Sequence, residues 1–442
     1  MTRRSCPLLP LIILLVLSGC RQKTTPPNSA TLPASAPLSA APLPANGDKG
    51  REQTIRFLEN RVRQDPDDFV AFNKLTGYYL QLQRETGNAQ YLELAERATQ
   101  ASLKAVPAEQ NKGGLAAQAL IAYAAHRFAE ARDLANKLVQ LDPGKGYPYQ
   151  TLGDALLELG DYEGADAAFK QSVNLSGVTF GNEVRQARLA SLHGKPQVAT
   201  QHYANALQLA QDAATSDPET IAWTHWQLGE TAFAQGQYAP AEKHYQESLK
   251  QFPDYYRALG GWARARAAQG DAKQAIETYE KLVKRLPDPV YIAALGDLYK
   301  LTGREQEAAA QYALVEQIAK LTALNGVLYN RQLALYYADH DLQPEAAYAA
   351  AAKEYETRRD IYGADALAWT SLKAGKIPEA QAASKDALRL GTKDAKLFYH
   401  AGMIARAAGD KALAKDYLQK TLALSPEFDP LQAGLARKAV HE

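Results

Sequence analysis

The sequence predicts an all-α protein in which helix–turn–helix units repeat along the chain to form a solenoid. From Arg51 onward, apolar residues recur three and four positions apart, as in amphipathic helices, and no strand-like alternation of useful length interrupts them. Alanines recur in this region with a period close to 34 residues, and glycines and aromatic residues keep fixed distances from them. A constant period of this length is typical of arrays in which each unit packs on its neighbours.

The period is clearest in alanines that fall in every second predicted helix. They form three blocks, with spacings of 33 or 34 residues inside each block. Gaps of 42 and 38 residues separate the blocks, which indicates short insertions that leave the array unbroken. The alanines are Ala131, Ala165 and Ala199, then Ala241, Ala275 and Ala308, then Ala346, Ala380 and Ala414.

Glycines, aromatic residues and prolines keep phase with these alanines. A glycine five residues earlier suits the left-handed conformation that closes a helix, and so predicts the turn within each unit. An aromatic residue one helical turn later shares the alanine's face and fills the space beside it. The turn glycines are Gly160, Gly194, Gly236, Gly270, Gly303, Gly375 and Gly409. The aromatic residues are Phe169, Tyr203, Tyr245, Tyr279 and Tyr312. The prolines expected to end second helices are Pro66, Pro143, Pro253, Pro287 and Pro426.

The chain resembles the tetratricopeptide repeat family, whose first helix carries a bulky residue, then Leu-Gly, then an aromatic residue. The matching residues are Tyr149 with Leu152-Gly153, Leu228-Gly229, Leu295-Gly296 with Tyr299, and, as a near match, Phe398 with Ala401-Gly402. The resemblance covers about residues 69–427 and implies a right-handed superhelical solenoid of about ten units, with first helices lining a concave groove. We expect terminal capping helices at 51–64 and 431–440.

Two units depart from the family pattern. The first unit, residues 69–107, has a longer turn around Thr86-Gly87-Asn88. The unit near residues 330–361 has Ala350 where an aromatic residue is usual. We expect these departures to alter local curvature and to leave the fold unchanged.

The N-terminus is typical of a bacterial lipoprotein leader. A positive start at residues 1–4 precedes a mostly apolar run at 8–17, which is too short to span a bilayer comfortably. The following Leu17-Ser18-Gly19-Cys20 resembles a lipobox, which implies a signal peptide at 1–19 and acyl chains, including palmitate, on Cys20. A plain secretory signal with a chance cysteine is the alternative. Arg21, in place of the aspartate that commonly retains lipoproteins in the inner membrane, favours the outer membrane, facing the periplasm.

The composition after Cys20 divides the chain into a tether and a folded body. Residues 20–50 are rich in proline, alanine and serine and predict an extended tether, whereas 51–442 form the predicted solenoid. Both cysteines of the chain, Cys6 and Cys20, precede the body, which therefore has no disulfide and no thiol nucleophile. The formal net charge is +1, and loss of the leader leaves 48 Lys and Arg against 49 Asp and Glu. Nucleic acid is thus not an expected partner.

The motif search predicts that the protein is not an enzyme. The sequence contains no H-E-x-x-H, G-x-S-x-G or phosphate-binding loop. The eight histidines form no close metal pair in sequence; separate units could bring two together, but scattered surface histidines are favoured. We therefore expect no catalytic residue, no metal, no cofactor and no small-molecule substrate.

A candidate binding surface falls in the middle of the array. On one predicted first helix, two tryptophans and a glutamate share a stripe, and arginines stand on the neighbouring units. We call this set the groove patch: Arg188, Trp223, Trp226, Glu230, Arg257 and Arg264. Tryptophan and arginine dominate binding energy when desolvated, so we hypothesise that the patch grips an acidic or aromatic-bearing peptide. The alternative is that the tryptophans pack between units and the arginines pair with nearby glutamates.

These features favour a membrane-anchored scaffold for protein–protein interaction in the bacterial cell envelope. Lipoproteins with similar repeats act in outer-membrane protein assembly, pilus biogenesis, polysaccharide export and control of peptidoglycan enzymes. The expected partners are envelope proteins or peptide segments, and the membrane through the N-terminal lipid. A glycan-binding accessory subunit of an exopolysaccharide or peptidoglycan system is the alternative, since 24 tyrosines could stack on sugars. Peptide binding should depend on the arginines and on salt, whereas glycan binding should depend on aromatic residues and be insensitive to salt.

Overall fold

The computed structural model describes residues 48–214, 217–324 and 331–442, with the backbone alone for 322–324. These residues form 22 α-helices and no strand. No helix in this part of the chain combines the length and apolar character that a bilayer crossing requires. The predicted leader, the lipobox with Cys20 and the tether up to residue 47 lie outside the described residues. The helices are α1 (Lys49–Gln64), α2 (Phe69–Thr86), α3 (Gln90–Ala105), α4 (Lys112–Ala124), α5 (Phe128–Leu141), α6 (Gly146–Leu159), α7 (Tyr162–Ser176), α8 (Phe180–Leu192), α9 (Pro196–Gln211), α10 (Pro218–Ala234), α11 (Tyr238–Gln251), α12 (Tyr256–Ala268), α13 (Ala272–Arg285), α14 (Pro289–Leu301), α15 (Glu305–Leu324), α16 (Arg331–Asp339), α17 (Pro344–Tyr355), α18 (Ile361–Lys373), α19 (Ile377–Ala387), α20 (Ala395–Ala407), α21 (Lys411–Leu424) and α22 (Gln432–Ala439).

Helices α2 to α21 form ten helical hairpins, each packed on the next, so the predicted all-α solenoid is confirmed. Helix α1 packs on α2 and α22 packs on α21, as expected of terminal helices. The start of α1 lies two residues before the predicted position, because Asp48 caps the helix by accepting hydrogen bonds from the backbone N–H groups of Gly50 and Arg51.

The turn within each hairpin depends on glycine where the sequence predicted it. All seven predicted turn glycines have positive φ; Gly160, for example, has a φ of 84°. Glycines inside the first helices have a separate role, because a Cβ on Gly229 would collide with the ring of Tyr245 from the second helix. The close approach of the two helices therefore needs both kinds of glycine.

The predicted alanine register is wrong in the eighth unit. Ala346 is exposed, and Ala347, 1% exposed, occupies the core position instead. The connection between α16 and α17 has four residues, against three in most hairpins, and two of them, Asp341 and Gln343, have positive φ without being glycine. The extra residue shifts α17 by one position, so that Ala351 takes the place of the usual aromatic residue.

Segments about 200 residues apart in sequence touch each other. The hydroxyl of Tyr162 in the third unit accepts a hydrogen bond from the backbone N–H of Ile361, which opens the ninth unit (2.8 Å). Two units further on, the hydroxyl of Tyr238 accepts one from the backbone N–H of Glu427 (2.7 Å). The solenoid thus completes a superhelical turn in about six units, and the following turn packs directly on it.

Candidate functional site

The tryptophans of the groove patch lie side by side on α10. This helix starts at Pro218, with Asp217 as its cap, and its winding places positions 223 and 226 on one face. The ring centroids of Trp223 and Trp226 are 6.5 Å apart, and the guanidinium carbon of Arg257 lies 5.1 Å from the centroid of Trp226. The structure therefore brings these three residues of the groove patch together.

Both tryptophans also take part in the packing between units. Trp223 lies edge-on to Tyr203, with centroids 6.4 Å apart, and to Phe180 at 6.3 Å. Trp226 packs against the core of its own hairpin and against that of the next. Each ring is half-buried, so it supports the array and keeps part of its surface exposed.

Arg264 of the groove patch has its charge satisfied within the array. Its Nη2 donates to both carboxylate oxygens of Glu230, at 2.7 and 2.8 Å, and its guanidinium carbon lies 4.1 Å from the ring centroid of Phe233. Burial opposes the charge on Arg264, but Glu230 outweighs burial and raises the pKa of the arginine. An acidic ligand would have to compete with Glu230 for this cation.

Arg188 is likewise engaged, in a different part of the molecule. It forms an ion pair with Glu158 and donates to the hydroxyl of Tyr123 at 3.1 Å. Glu158 also pairs with Arg358, which lies between α17 and α18 in the next superhelical turn. Burial alone would raise the pKa of Glu158, but the two arginines lower it to about 2. Arg188 therefore stabilises a contact between successive turns of the superhelix.

A second ion pair strengthens the same contact. Arg331 is 5% exposed and donates to both carboxylate oxygens of Asp360, at 3.0 and 2.6 Å. It also lies 2.8 Å from Glu354. Burial disfavours the charge on Arg331, but Asp360 raises its pKa, and the guanidinium stays charged. This buried network holds the start of α18 in the position from which it meets the third unit.

A cavity of about 400 Å³ lies between two turns of the array, and the sequence did not reveal it. First helices α12, α14 and α16 form one side, and the loop at residues 427–430 closes the other. The wall includes the apolar residues Ala267, Ala268, Ala293, Ala294, Leu298 and Phe428. Polar groups gather at Asp297, Asp339, His340, Lys396 and Asp429. Arg264 also lines this cavity, so the cavity adjoins the groove patch.

The polar groups of the cavity are held in place by hydrogen bonds. His340 is bonded through Nε2 to Asp297 and through Nδ1 to the carbonyl oxygen of Tyr336, both at 2.8 Å. Burial opposes protonation of this ring, but Asp297 outweighs it and raises the pKa of His340. Asp339 accepts a hydrogen bond from Lys396 at 2.9 Å and another from the indole N–H of Trp369 at 2.8 Å.

A larger opening of about 1330 Å³ lies between the start of the array and the turns that follow α11 and α13. Arg51 and Glu85 form a bidentate ion pair on its wall, at 2.5 and 2.8 Å. Arg285 and Asp254 pair at 3.4 Å on the opposite side. This opening is broad and its two lining arginines are both paired.

One pair of histidines comes close together, although the sequence favoured scattered positions. The Nδ1 atoms of His225 and His244, on the two helices of one hairpin, are 3.4 Å apart. Burial lowers the pKa of both rings, so both are neutral at neutral pH. In the described part of the chain, no group of three or more His, Cys, Asp or Glu side chains is arranged to hold a metal ion.

Comparison with known proteins agrees with the repeat architecture. Tetratricopeptide repeat models match residues 147–178, 183–254, 232–298 and 395–428. A TPR repeat-containing protein, YpiA of Bacillus subtilis (strain 168), is 26% identical over 207 residues, which are 46% of this chain and 39% of that protein. The chain thus spans about two fifths of the length of this relative.

Comparison with solved structures gave matches of low TM-score. The human IFIT1 dimer with PPP-AAAA has a TM-score of 0.48 at 17% identity, over 77% of this chain and 78% of that chain. PilW, a type IV pilus biogenesis factor, has a TM-score of 0.39 at 18% identity, over 46% of this chain and 91% of that chain. These matches agree with the ten hairpins and the phased alanines and glycines: residues 147–178, 183–298 and 395–428 of the chain are tetratricopeptide repeats.

Proposed function

We propose that the protein is a scaffold that binds a segment of another protein on its first-helix surface, without catalysing a reaction. The observation that carries this proposal is the continuity of the groove patch with the 400 Å³ cavity. Trp226 and Arg257 stand on one side, and Arg264 extends from the patch into the cavity wall. Partly exposed aromatic rings beside a partly open cavity can anchor the side chains of a bound peptide.

The proposal also includes the cell envelope as the place of action. The leader pattern that ends in Cys20 supports a lipid anchor, and the tether at residues 20–50 would hold the solenoid away from the membrane. We propose the outer membrane, on its periplasmic side, and envelope proteins as the partners. Labelling cells with an alkyne fatty acid should mark the wild-type protein, and Cys20→Ala should lose the label and leave the membrane fraction. Labelling that persists in the Cys20→Ala variant would contradict the anchor.

In-cell photocrosslinking tests the scaffold function. One photoreactive residue replaces Arg257, which makes no ion pair within the described residues, and a control replaces Lys243, an exposed residue on second helix α11. We expect a discrete protein to be captured from position 257 and not from position 243. Equal capture from both positions, or capture from neither while saccharide co-purifies, would contradict the proposal; the second result would favour the glycan-binding alternative.

A further inference from the structure

The cavity between α14, α16 and the loop at residues 427–430 has the size and walls of a side-chain pocket. Its volume of about 400 Å³ falls within the range of pockets that enclose a ligand. Ala293 and Ala294 present small side chains on one wall, and Phe428 faces the cavity from the loop. A long side chain with an apolar stem would therefore bury that stem without displacing the helices.

The arginines that line the cavity are already neutralised. Arg264 contacts both carboxylate oxygens of Glu230, at 2.7 and 2.8 Å. Arg437 pairs with Glu427 at 2.8 Å. Because both guanidinium groups are already paired with carboxylates, the other charged side chains determine whether the cavity favours an anionic or a cationic ligand.

Those remaining groups have an excess of negative charge. Asp297 pairs with His340 at 2.8 Å, and Asp339 pairs with Lys396 at 2.9 Å. Asp429 is left over, since it makes no ion pair among the described residues. Even with His340 protonated, the cavity therefore has one carboxylate more than it has cations.

Asp429 is also fixed in position and short of hydrogen-bond donors. Its Oδ1 accepts hydrogen bonds from the backbone N–H groups of Leu431 (3.0 Å) and Gln432 (2.9 Å) at the start of α22. Within the described residues, its Oδ2 receives none. Burial raises the pKa of Asp429; the charge of Lys396 lowers the pKa without offsetting burial, and the negative charge of Asp339 adds to the rise. A further, bound cation would therefore relieve an unfavourable environment.

We propose that this cavity is the specificity pocket for a lysine or arginine side chain of the bound protein segment, with the cation at Asp429 and the stem along Ala293, Ala294 and Phe428. This inference rests on the proposed scaffold function and adds the chemistry of the partner. It differs from the sequence-based hypothesis of an acidic peptide, since a carboxylate that entered the cavity would meet the charge of Asp429, whereas the cations that line the cavity are already paired.

The test uses the whole chain and two small probes. The first probe is acetyl-lysine-N-methylamide, and the second is acetyl-norleucine-N-methylamide, which has the same apolar stem without the cation. Titration by NMR at constant salt should show the lysine probe binding about tenfold more tightly than the norleucine probe, because a desolvated charged contact is worth that factor. Equal affinities, or no binding of either probe, would overturn the pocket.

Three substitutions test whether the probes bind in the cavity. Asp429→Asn removes the negative charge but keeps a side-chain oxygen that can accept the hydrogen bonds from the backbone at the start of α22. We therefore expect this variant to bind the lysine probe about tenfold more weakly. Ala293→Leu fills the wall and leaves Asp429 in place; it should weaken both probes. Asp416→Asn is the matched control, since Asp416 is exposed and, in the part of the chain that the structure describes, forms an ion pair only with Lys420. Unchanged binding in Asp429→Asn would overturn the assignment.

The Asp429→Asn variant also distinguishes an error in the pocket assignment from an error in the scaffold function. If position 257 captures a protein and Asp429→Asn leaves the capture unchanged, the scaffold function holds and the pocket assignment is wrong. If the lysine probe binds as expected but no protein is captured, the scaffold function fails, and the pocket then belongs to another ligand with a cationic group. Loss of capture in Asp429→Asn, with normal capture in Asp416→Asn, supports both.

Discussion

Glu158 in the third unit and Arg358 in the connection after α17 form an ion pair across 200 residues of sequence. Glu158 is bound at the same time by Arg188, so one buried carboxylate holds two arginines. The contact joins successive turns of the superhelix. It therefore helps to set the shape of the first-helix surface on which we place the binding site.

Glu158→Gln should destabilise the protein strongly. The change keeps the size of the side chain but removes the carboxylate that pairs with Arg188 and one of the three that pair with Arg358. Loss of one partner from a buried pair costs about 3–5 kcal/mol. Denaturant unfolding followed by circular dichroism measures the loss. The control is Glu163→Gln on the exposed face of α7, which should change stability by less than about 0.5 kcal/mol. Similar losses in both variants would contradict the role of Glu158.

The contribution of Glu158 should also depend on pH in one direction. Its pKa is about 2 in the folded protein, against an ordinary value of 4.5, so folding favours the ionised form. The stability difference between wild type and Glu158→Gln should be full above pH 4.5 and should shrink as the pH falls toward about 2. The pKa difference corresponds to a change on the order of 3 kcal/mol. A difference that stays constant from pH 7 to pH 3 would contradict the assignment.

Two glycine substitutions should act in opposite directions. A Cβ on Gly229 would collide with the buried ring of Tyr245, and Gly229→Ala should therefore cost about 1–3 kcal/mol. Gly77, in the middle of α2, has open space around the same position, and Gly77→Ala should stabilise the protein by up to about 1 kcal/mol. Thermal unfolding of the two variants distinguishes these effects. Stabilisation by Gly229→Ala would show that the two helices do not depend on this close approach.

Arg264 and Glu230 should prove energetically coupled. A double-mutant cycle with Arg264→Ala, Glu230→Ala and the double variant should give a coupling energy on the order of 1 kcal/mol, since one guanidinium nitrogen contacts both carboxylate oxygens but the pair is partly exposed. The measurement is unfolding free energy in each variant. Coupling near zero would mean that Arg264 is free to meet a ligand, as the acidic-peptide hypothesis assumed.

The repeat architecture could be predicted from sequence because it depends on local signals. The alanine period and the turn glycines each act within one hairpin, and the structure confirms the glycine positions throughout. The register near Ala346 was wrong because two non-glycine residues, Asp341 and Gln343, adopt positive φ in a longer turn. Sequence patterns do not predict such residues well, since only glycine adopts this conformation without strain.

The side chains that pair with the predicted site residues were harder to predict from the sequence. Glu230 and Arg264 stand 34 residues apart, which is one repeat, so opposite charges at that spacing could have indicated the pair. No comparable signal exists for Glu158 and Arg358, or for the cavity beside Asp429. These depend on the pitch of the superhelix, which results from small rotations added over many units.

Hydrogen–deuterium exchange of the protein with the partner captured from position 257 tests the central claim most directly. If the protein binds a segment on its first-helix surface, added partner should slow exchange in α10, α12, α14 and α16 and in the loop at residues 427–430. Second helices α11, α13 and α15 should remain unchanged. Protection confined to the second helices, with none around Trp226 or Asp429, would contradict the account.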